Sequence, residues 1–121
     1  DKMPLISQGK IISQHKIEGI GDDFVPELLD KEAIDEFALI NDDDAINMAR
    51  KMAKKLGIGV GISSGANFIG SVLANKKFGN GATTVFADDN KKYLSTDLSK
   101  DMDYNKNFIS NQIELEKYEI L

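Results

Sequence analysis

The chain has 121 residues, enough for one small domain or for part of a larger one. Its hydrophobic content of 41% and charged content of 29% are typical of a soluble globular sequence rather than a disordered one. The net charge of -5 and the lack of a basic stripe disfavour binding to a nucleic-acid backbone, and no apolar run of about eighteen residues predicts a membrane span. Since the chain has no cysteine, it can form neither a disulfide nor a thiolate metal site.

A glycine-containing loop is predicted near the start of the chain. Gly19 and Gly21 flank Ile20 and are followed by Asp22 and Asp23. Glycines allow the backbone to approach a ligand or a neighbouring element closely, so this loop is a candidate binding segment. A plain surface turn accounts for the same composition, and the residues alone leave both interpretations open.

A strand and then an amphipathic helix are predicted from residue 32 onward. Apolar residues between 32 and 40 indicate the strand. Asn41 supplies an N-cap, and the three consecutive acids at 42–44 suit the first turn of a helix better than a metal site. Gly57 is expected to end this helix. The apolar stripe that predicts its buried face consists of Ala45, Met48, Ala49, Met52 and Leu56.

The central stretch, residues 56–67, is predicted to form a short strand, a tight turn and the start of a second helix. Apolar residues alternate there with Gly59 and Gly61, and Ser63 and Ser64 follow. The glycines allow close approach to a flat or anionic group, and a serine N-cap places its hydroxyl at the positive end of the helix dipole. The stretch therefore predicts a ligand site, although similar turns occur without a ligand. Neither the dinucleotide-binding nor the Walker spacing is met, so generic nucleotide binding is not predicted.

The remaining predicted elements are a second helix, a strand and a C-terminal tail. Small residues in the helical stripe at 66–74 are expected to let that helix lie close to a sheet. Residues 83–87 predict a short buried strand, and the acids Asp88 and Asp89 that follow either face a ligand site or cap a helix. Residues 99–121 show no clear period, and we expect them to pack on a neighbouring domain or subunit.

Three stretches in the same order resemble one enzyme family. They are HKIEGIG at 15–21, GISSGA at 61–66, and VFADD at 85–89 followed by KYLST at 92–96. On these residues the chain resembles the C-terminal part of cysteine synthase, also called O-acetylserine sulfhydrylase, a pyridoxal-phosphate enzyme of fold type II. The resemblance implies an α/β fold of three αβα layers, as part of the larger C-terminal domain. It also implies a cytoplasmic homodimer that acts on a small amino-acid substrate, with serine acetyltransferase as a partner.

The same resemblance assigns roles to two of the predicted segments. It implies that Ser63 hydrogen-bonds the pyridine nitrogen of pyridoxal phosphate, and that Gly19, Ile20 and Gly21 line the substrate pocket. A neutral hydroxyl does not hold the ring nitrogen protonated as a carboxylate would, so the ring is a weaker electron sink. Such a ring is expected to favour loss of a β-substituent over transamination.

Two motifs of the family do not occur in the chain. These are the motif with the Schiff-base lysine and the glycine- and threonine-rich loop that holds the phosphate, both of which the resemblance places N-terminally. The chain also opens without an initiating methionine or a signal peptide. We therefore expect residues 1–121 to be the C-terminal segment of a longer enzyme, and to be inactive alone.

The acids after the glycine loop depart from the usual cysteine synthase pattern and look like the corresponding loop of cystathionine β-synthase. Asp22, and next to it Asp23, are candidate catalytic groups that could act as a general base or help a poor leaving group depart. Two solvated loop acids explain the residues equally well.

Three functions therefore stay open at this point. The first is formation of cysteine from O-acetylserine and sulfide. The second is a serine- or cysteine-dependent β-replacement of the cystathionine β-synthase type, which releases water or hydrogen sulfide. The third is a non-catalytic interaction module that keeps the fold without the lysine. The presence or absence of the lysine motif in the parent chain would separate the module from the enzymes.

Overall fold

The computed structural model describes residues 8–9, 16–17, 24–93, 95, 98 and 105–120. Its helices are α1 (Asp42–Leu56), α2 (Ile62–Phe78) and the short α3 (Ile109–Gln112), with two 3-10 helices at Lys31–Ala33 and Asn90–Tyr93. Within these residues the only β-pairing is an isolated antiparallel bridge between Val60 and Asp89. No helix in the described part is both long enough and apolar enough to cross a membrane.

Helix α1 begins and ends where its local signals predict. The Asn41 side chain accepts a hydrogen bond from the Asp43 backbone N–H at 2.9 Å. Three acids occupy the first turn, where their negative charges interact favourably with the positive end of the helix dipole. Gly57 ends the helix in the left-handed conformation, with φ of 70°. Among the described residues, no cluster of three or more His, Cys, Asp or Glu side chains is arranged to hold a metal ion.

The core forms where α1 packs against α2. Four residues of the predicted stripe are buried and Leu56 is partly buried, as predicted. Helix α2 contributes Ala66 and Ile69. The two helices lie close together at Gly65, where an added Cβ would clash with the backbone oxygen of Ala45 and lie 3.0 Å from the backbone nitrogen of Ala49. Gly65 thus lies against helix α1, and the expectation that the small residues at 66–74 let the helix lie close to a sheet stays a prediction.

The predicted strands are wrong within the described residues. Val60 forms a single bridge, and Ile62, placed at the strand end, is already the first residue of α2. Residues 32–40 begin in a 3-10 helix and continue without a ladder. Residues 83–87 are neither paired nor buried, since the Val85 side chain is 65% exposed. A strand needs a partner along its length, and the described residues supply none. They therefore show helices with little β-structure, and no three-layer αβα arrangement.

Part of the C-terminal tail packs on helix α1 of its own chain. The Asp44 carboxylate of α1 accepts hydrogen bonds from the backbone N–H groups of Ile109, at 2.8 Å, and Ser110, at 2.9 Å. The Lys51 ammonium donates to the Ser110 carbonyl at 3.0 Å and also to the Ile113 carbonyl. Residues 109–113 are thus anchored on α1, and the expected packing of residues 99–121 on a neighbouring domain or subunit stays a prediction.

Candidate cofactor site

Ser63 lies in the N-terminal turn of α2, two positions further into the helix than the N-cap. The N-cap is Gly61, which offers no side-chain capping bond, and Ser63 is the second helical residue. Its side chain is buried, with 5% of the residue exposed, and no hydrogen bond to its hydroxyl is found within the described residues. The hydroxyl is therefore available to a polar ligand at the positive end of the helix.

Residues 88–93 form a second segment that is hydrogen-bonded to this turn. The Gly61 N–H donates to the Asp88 carbonyl at 3.0 Å, and the Asn90 N–H donates to the Gly59 carbonyl at 3.2 Å. These two bonds flank the bridge between Val60 and Asp89. The 3-10 helix Asn90–Tyr93 then continues alongside the turn.

The two central glycines are explained by these contacts rather than by a ligand. A Cβ on Gly59 would lie 2.8 Å from Asn90 Oδ1. A Cβ on Gly61 would clash with Asp88 Oδ1 and lie 2.7 Å from Tyr93 Cε2. Because real Cβ atoms do not approach so closely, a side chain at Gly59 would need Asn90 to move, and one at Gly61 would need Asp88 and Tyr93 to move. The groups that lie against these glycines are side chains of the same chain, namely Asn90 at Gly59 and Asp88 with Tyr93 at Gly61.

Asp88 and Tyr93 form a hydrogen-bonded pair beside the turn. The Tyr93 hydroxyl donates to Asp88 Oδ2 at 2.6 Å, and the tyrosine is 3% exposed. Asp88 Oδ1 and the Ser64 hydroxyl are both enclosed, and neither finds a hydrogen-bond partner among the described residues. The sequence left open whether the acids at 88–89 face a site or cap a helix. Asp88 faces the turn, whereas Asp89 caps the 3-10 helix by accepting the Lys91 N–H at 2.9 Å.

The sequence predicted Ser63 as a site residue but did not point to the Asp88–Tyr93 pair. The stretch KYLST, which contains Tyr93, served only as part of the resemblance. A buried tyrosine usually places its hydroxyl on a partner, and an acid five residues earlier in the chain was the available signal.

The other predicted site residues lie outside the described residues. They are Gly19, Ile20, Gly21, Asp22 and Asp23. The structure therefore places Ser63 and does not test whether the glycine loop or its acids come near it. Just before the loop, the Lys16 N–H donates to Asp42 Oδ2 at 3.0 Å, at the N-terminal end of α1.

Comparison with known proteins relates the chain to one enzyme family by sequence. No family model matches the chain. Cysteine synthase B from Campylobacter jejuni is 50% identical over 96 residues, which are 78% of this chain and 31% of that protein. Cysteine synthase from Staphylococcus aureus is 38% identical over 97 residues, with the same two shares. The chain is homologous to part of the cysteine synthases. It spans about a third of the length of these relatives.

Solved structures of cysteine synthase-type enzymes share this architecture. A hydrogen sulfide-producing enzyme from Fusobacterium nucleatum matches with a TM-score of 0.82 at 47% identity, over 91% of this chain and 33% of that one. An Asp→Asn variant of a hydrogen sulfide-producing enzyme, in complex with an α-aminoacrylate intermediate, matches with a TM-score of 0.86 at 46% identity, over 95% and 35%. Cysteine synthase from Entamoeba histolytica matches with a TM-score of 0.74 at 35% identity, over 90% and 33%.

The residues at the start of α2 fit the cofactor of this family. Cysteine synthases depend on pyridoxal phosphate. Ser63 presents a buried hydroxyl that no described residue uses, and a hydroxyl is able to donate to a single ring nitrogen.

Proposed function

We propose that residues 1–121 are the C-terminal segment of a longer pyridoxal-phosphate enzyme that forms cysteine and acetate from O-acetylserine and sulfide. The observation that carries this proposal is the buried hydroxyl of Ser63, which no described residue uses, in a chain that is 50% identical over 96 residues to a cysteine synthase. We further propose that the enzyme is a cytoplasmic homodimer and that serine acetyltransferase is a partner, as the family resemblance implies.

In this proposal the chain supplies one side of the cofactor pocket. Pyridoxal phosphate, when bound, provides the electron sink for loss of the β-substituent. Ser63 would donate a hydrogen bond from its hydroxyl to the ring nitrogen and leave that nitrogen unprotonated. Gly19, Ile20 and Gly21 would line the substrate pocket, where the absence of side chains on the glycines lets the backbone contact the amino acid.

Exposed apolar side chains support the proposal that the chain is a segment. The described residues leave Phe37, Phe78 and Val85 exposed. A groove of about 840 Å³ also runs between α2 and residues 35–40, and its lining is largely apolar. Apolar surface of this extent is normally covered in a stable protein. We propose that the remaining two thirds of the enzyme cover it and carry the Schiff-base lysine and the phosphate loop.

A labelling experiment on the full-length protein tests the proposal. The protein is incubated with pyridoxal phosphate, reduced with borohydride, and its intact mass and labelled peptide are measured. We expect one adduct per chain on a lysine outside residues 1–121, and none on the isolated segment. An adduct on one specific lysine within these residues, or none on the full-length protein, would contradict it.

The second candidate function is a serine- or cysteine-dependent β-replacement. It is favoured by the consecutive acids Asp22 and Asp23, and by the 47% identity to a protein named as hydrogen sulfide-producing. We propose that Asp22 is the better candidate for the catalytic acid or base because it directly follows the glycine loop, and that Asp23 is next. Product assays with O-acetylserine plus sulfide, and with cysteine or serine alone, separate the two functions.

Removing both loop acids is expected to change substrate preference. In the full-length enzyme, Asp22→Ala with Asp23→Ala should lower turnover of serine or cysteine by roughly 100-fold, the usual worth of a general acid or base, and spare O-acetylserine, whose acetate is a good leaving group. Steady-state rates with each substrate measure this difference. The matched control is Glu27→Ala with Glu32→Ala, which removes the same charge from two exposed positions outside the groove. Equal losses with all substrates would overturn the role.

Loss of the Ser63 hydroxyl is expected to weaken cofactor binding. Ser63→Ala should raise the dissociation constant of pyridoxal phosphate about tenfold, since one hydrogen bond in a buried site is worth about 1.4 kcal/mol. Absorbance titration of the full-length apoprotein measures the constant. Ser64→Ala is the neighbouring control, because its enclosed hydroxyl has no partner among the described residues and its removal should change affinity less than about twofold. The reverse order of the two effects would contradict the assignment.

A further inference from the structure

We propose that Asp88 and Tyr93 are positioning residues for Ser63. They would hold the first turn of α2, and with it the Ser63 hydroxyl, in the orientation that the cofactor ring requires. The consequence for the cofactor rests on the proposed function, whereas the positioning of the turn rests on the contacts of this chain alone.

The backbone of Asp88 holds the turn at its N-cap. Its carbonyl accepts the Gly61 N–H at 3.0 Å, one residue before the helix begins. The Gly65 N–H donates to the Gly61 carbonyl at 3.2 Å, which closes the first turn of the helix. Ser63 lies between these two residues and therefore belongs to the same turn as Gly61. A displacement of Gly61 is therefore transmitted to Ser63.

The side chain of Asp88 is in turn held by Tyr93. The tyrosine hydroxyl donates to Oδ2 at 2.6 Å, a short bond of the kind that a charged acceptor makes. The ring of Tyr93 and the other carboxylate oxygen both lie against the Cα of Gly61, where no Cβ would fit. The pair thus packs on the same residue that its backbone bond holds.

The charge of Asp88 also suits this location. Helix α2 has no acidic residue in its first turn and no side-chain cap, so its positive end is not neutralised from within. A carboxylate beside Gly61 offsets that field and favours the observed position of the turn. Asp88 therefore acts on the turn through its backbone, its packing and its charge.

The first test is a double-mutant cycle in the full-length protein. Tyr93→Phe should raise the dissociation constant of pyridoxal phosphate about tenfold, but less than about twofold when Ser63→Ala is already present, because the two act through one contact. Tyr118→Phe, at an exposed tyrosine, is the control and should change neither value. A tenfold effect that persists in the Ser63→Ala background, or no effect at all, would overturn the proposal.

The second test compares two replacements of the acid. Asp88→Asn retains an oxygen that can accept the Tyr93 hydroxyl, whereas Asp88→Ala does not. We expect the asparagine variant to keep cofactor affinity within about threefold of the unmodified protein and the alanine variant to lose about tenfold. If both variants lose affinity equally, hydrogen bonding to Tyr93 does not position the turn.

The third test does not depend on the cofactor. Amide hydrogen exchange of residues 61–66 in the full-length apoprotein should be about tenfold faster in Tyr93→Phe, because opening of the turn is no longer resisted by the pair. Unchanged exchange would overturn the proposal. If the unmodified protein binds no pyridoxal phosphate but the exchange still changes, the proposed function fails and the positioning of the turn stands.

Discussion

Replacement of Asp44 by alanine is expected to lower the free energy of unfolding by about 4 kcal/mol, because two backbone N–H groups lose a charged acceptor at about 2 kcal/mol each. Asp44 is 3% exposed, and its two oxygens accept the N–H groups of Ile109 and Ser110. No other acceptor is bonded to these donors in the described structure. Urea unfolding followed by circular dichroism measures the loss, and exchange of the two amides reports it locally.

Asp43 provides the matched control in the same turn of α1. Its side chain is 45% exposed and its contact with the Lys16 ammonium, at 3.4 Å, is a surface ion pair. Asp43→Ala should therefore cost less than about 1 kcal/mol, the usual range for an exposed pair near a helix N-terminus. Equal losses for the two variants would show that the acids act only through the helix dipole, not through the anchoring of residues 109–113.

Gly65→Ala is expected to lower the free energy of unfolding by about 3 kcal/mol, the upper part of the range for overpacked cores. The added Cβ would clash with the Ala45 carbonyl oxygen and crowd the Ala49 nitrogen. Both are backbone atoms of α1, which cannot rotate aside as a side chain would. The two helices must separate instead, and the core residues between them, such as Met48 and Ile69, would lose contact. A urea unfolding curve measures the change.

Gly70, five residues along the same helix, is the control for this prediction. No atom lies within 4 Å of a Cβ built there. Gly70→Ala should therefore stabilise the protein by about 0.5–1 kcal/mol, because alanine loses less backbone entropy than glycine in a helix. If both alanine variants stabilise the protein, the helices are not in contact at Gly65.

The limits of α1 were predictable because their signals are local. An asparagine N-cap, acids in the first turn, a periodic apolar stripe and a terminal glycine all act within a few residues of where they stand. The start of α2 shows where local signals fail. Serine is a better N-cap than glycine, yet Gly61 occupies that position because the contact with Asp88 and Tyr93 leaves no room for a side chain.

The sequence by itself determined the two long helices and the family resemblance, and it predicted Ser63 as a site residue. The tertiary structure decided which groups pack against the glycines. Helix α1 packs against Gly65, and the Asp88–Tyr93 pair packs against Gly61. It also decided that residues 109–113 are anchored on α1 and that residues 83–87 stay uncovered within the described chain. The physical reason is distance along the chain. Caps and stripes are encoded within a turn or two, whereas these contacts join residues that lie up to 66 positions apart.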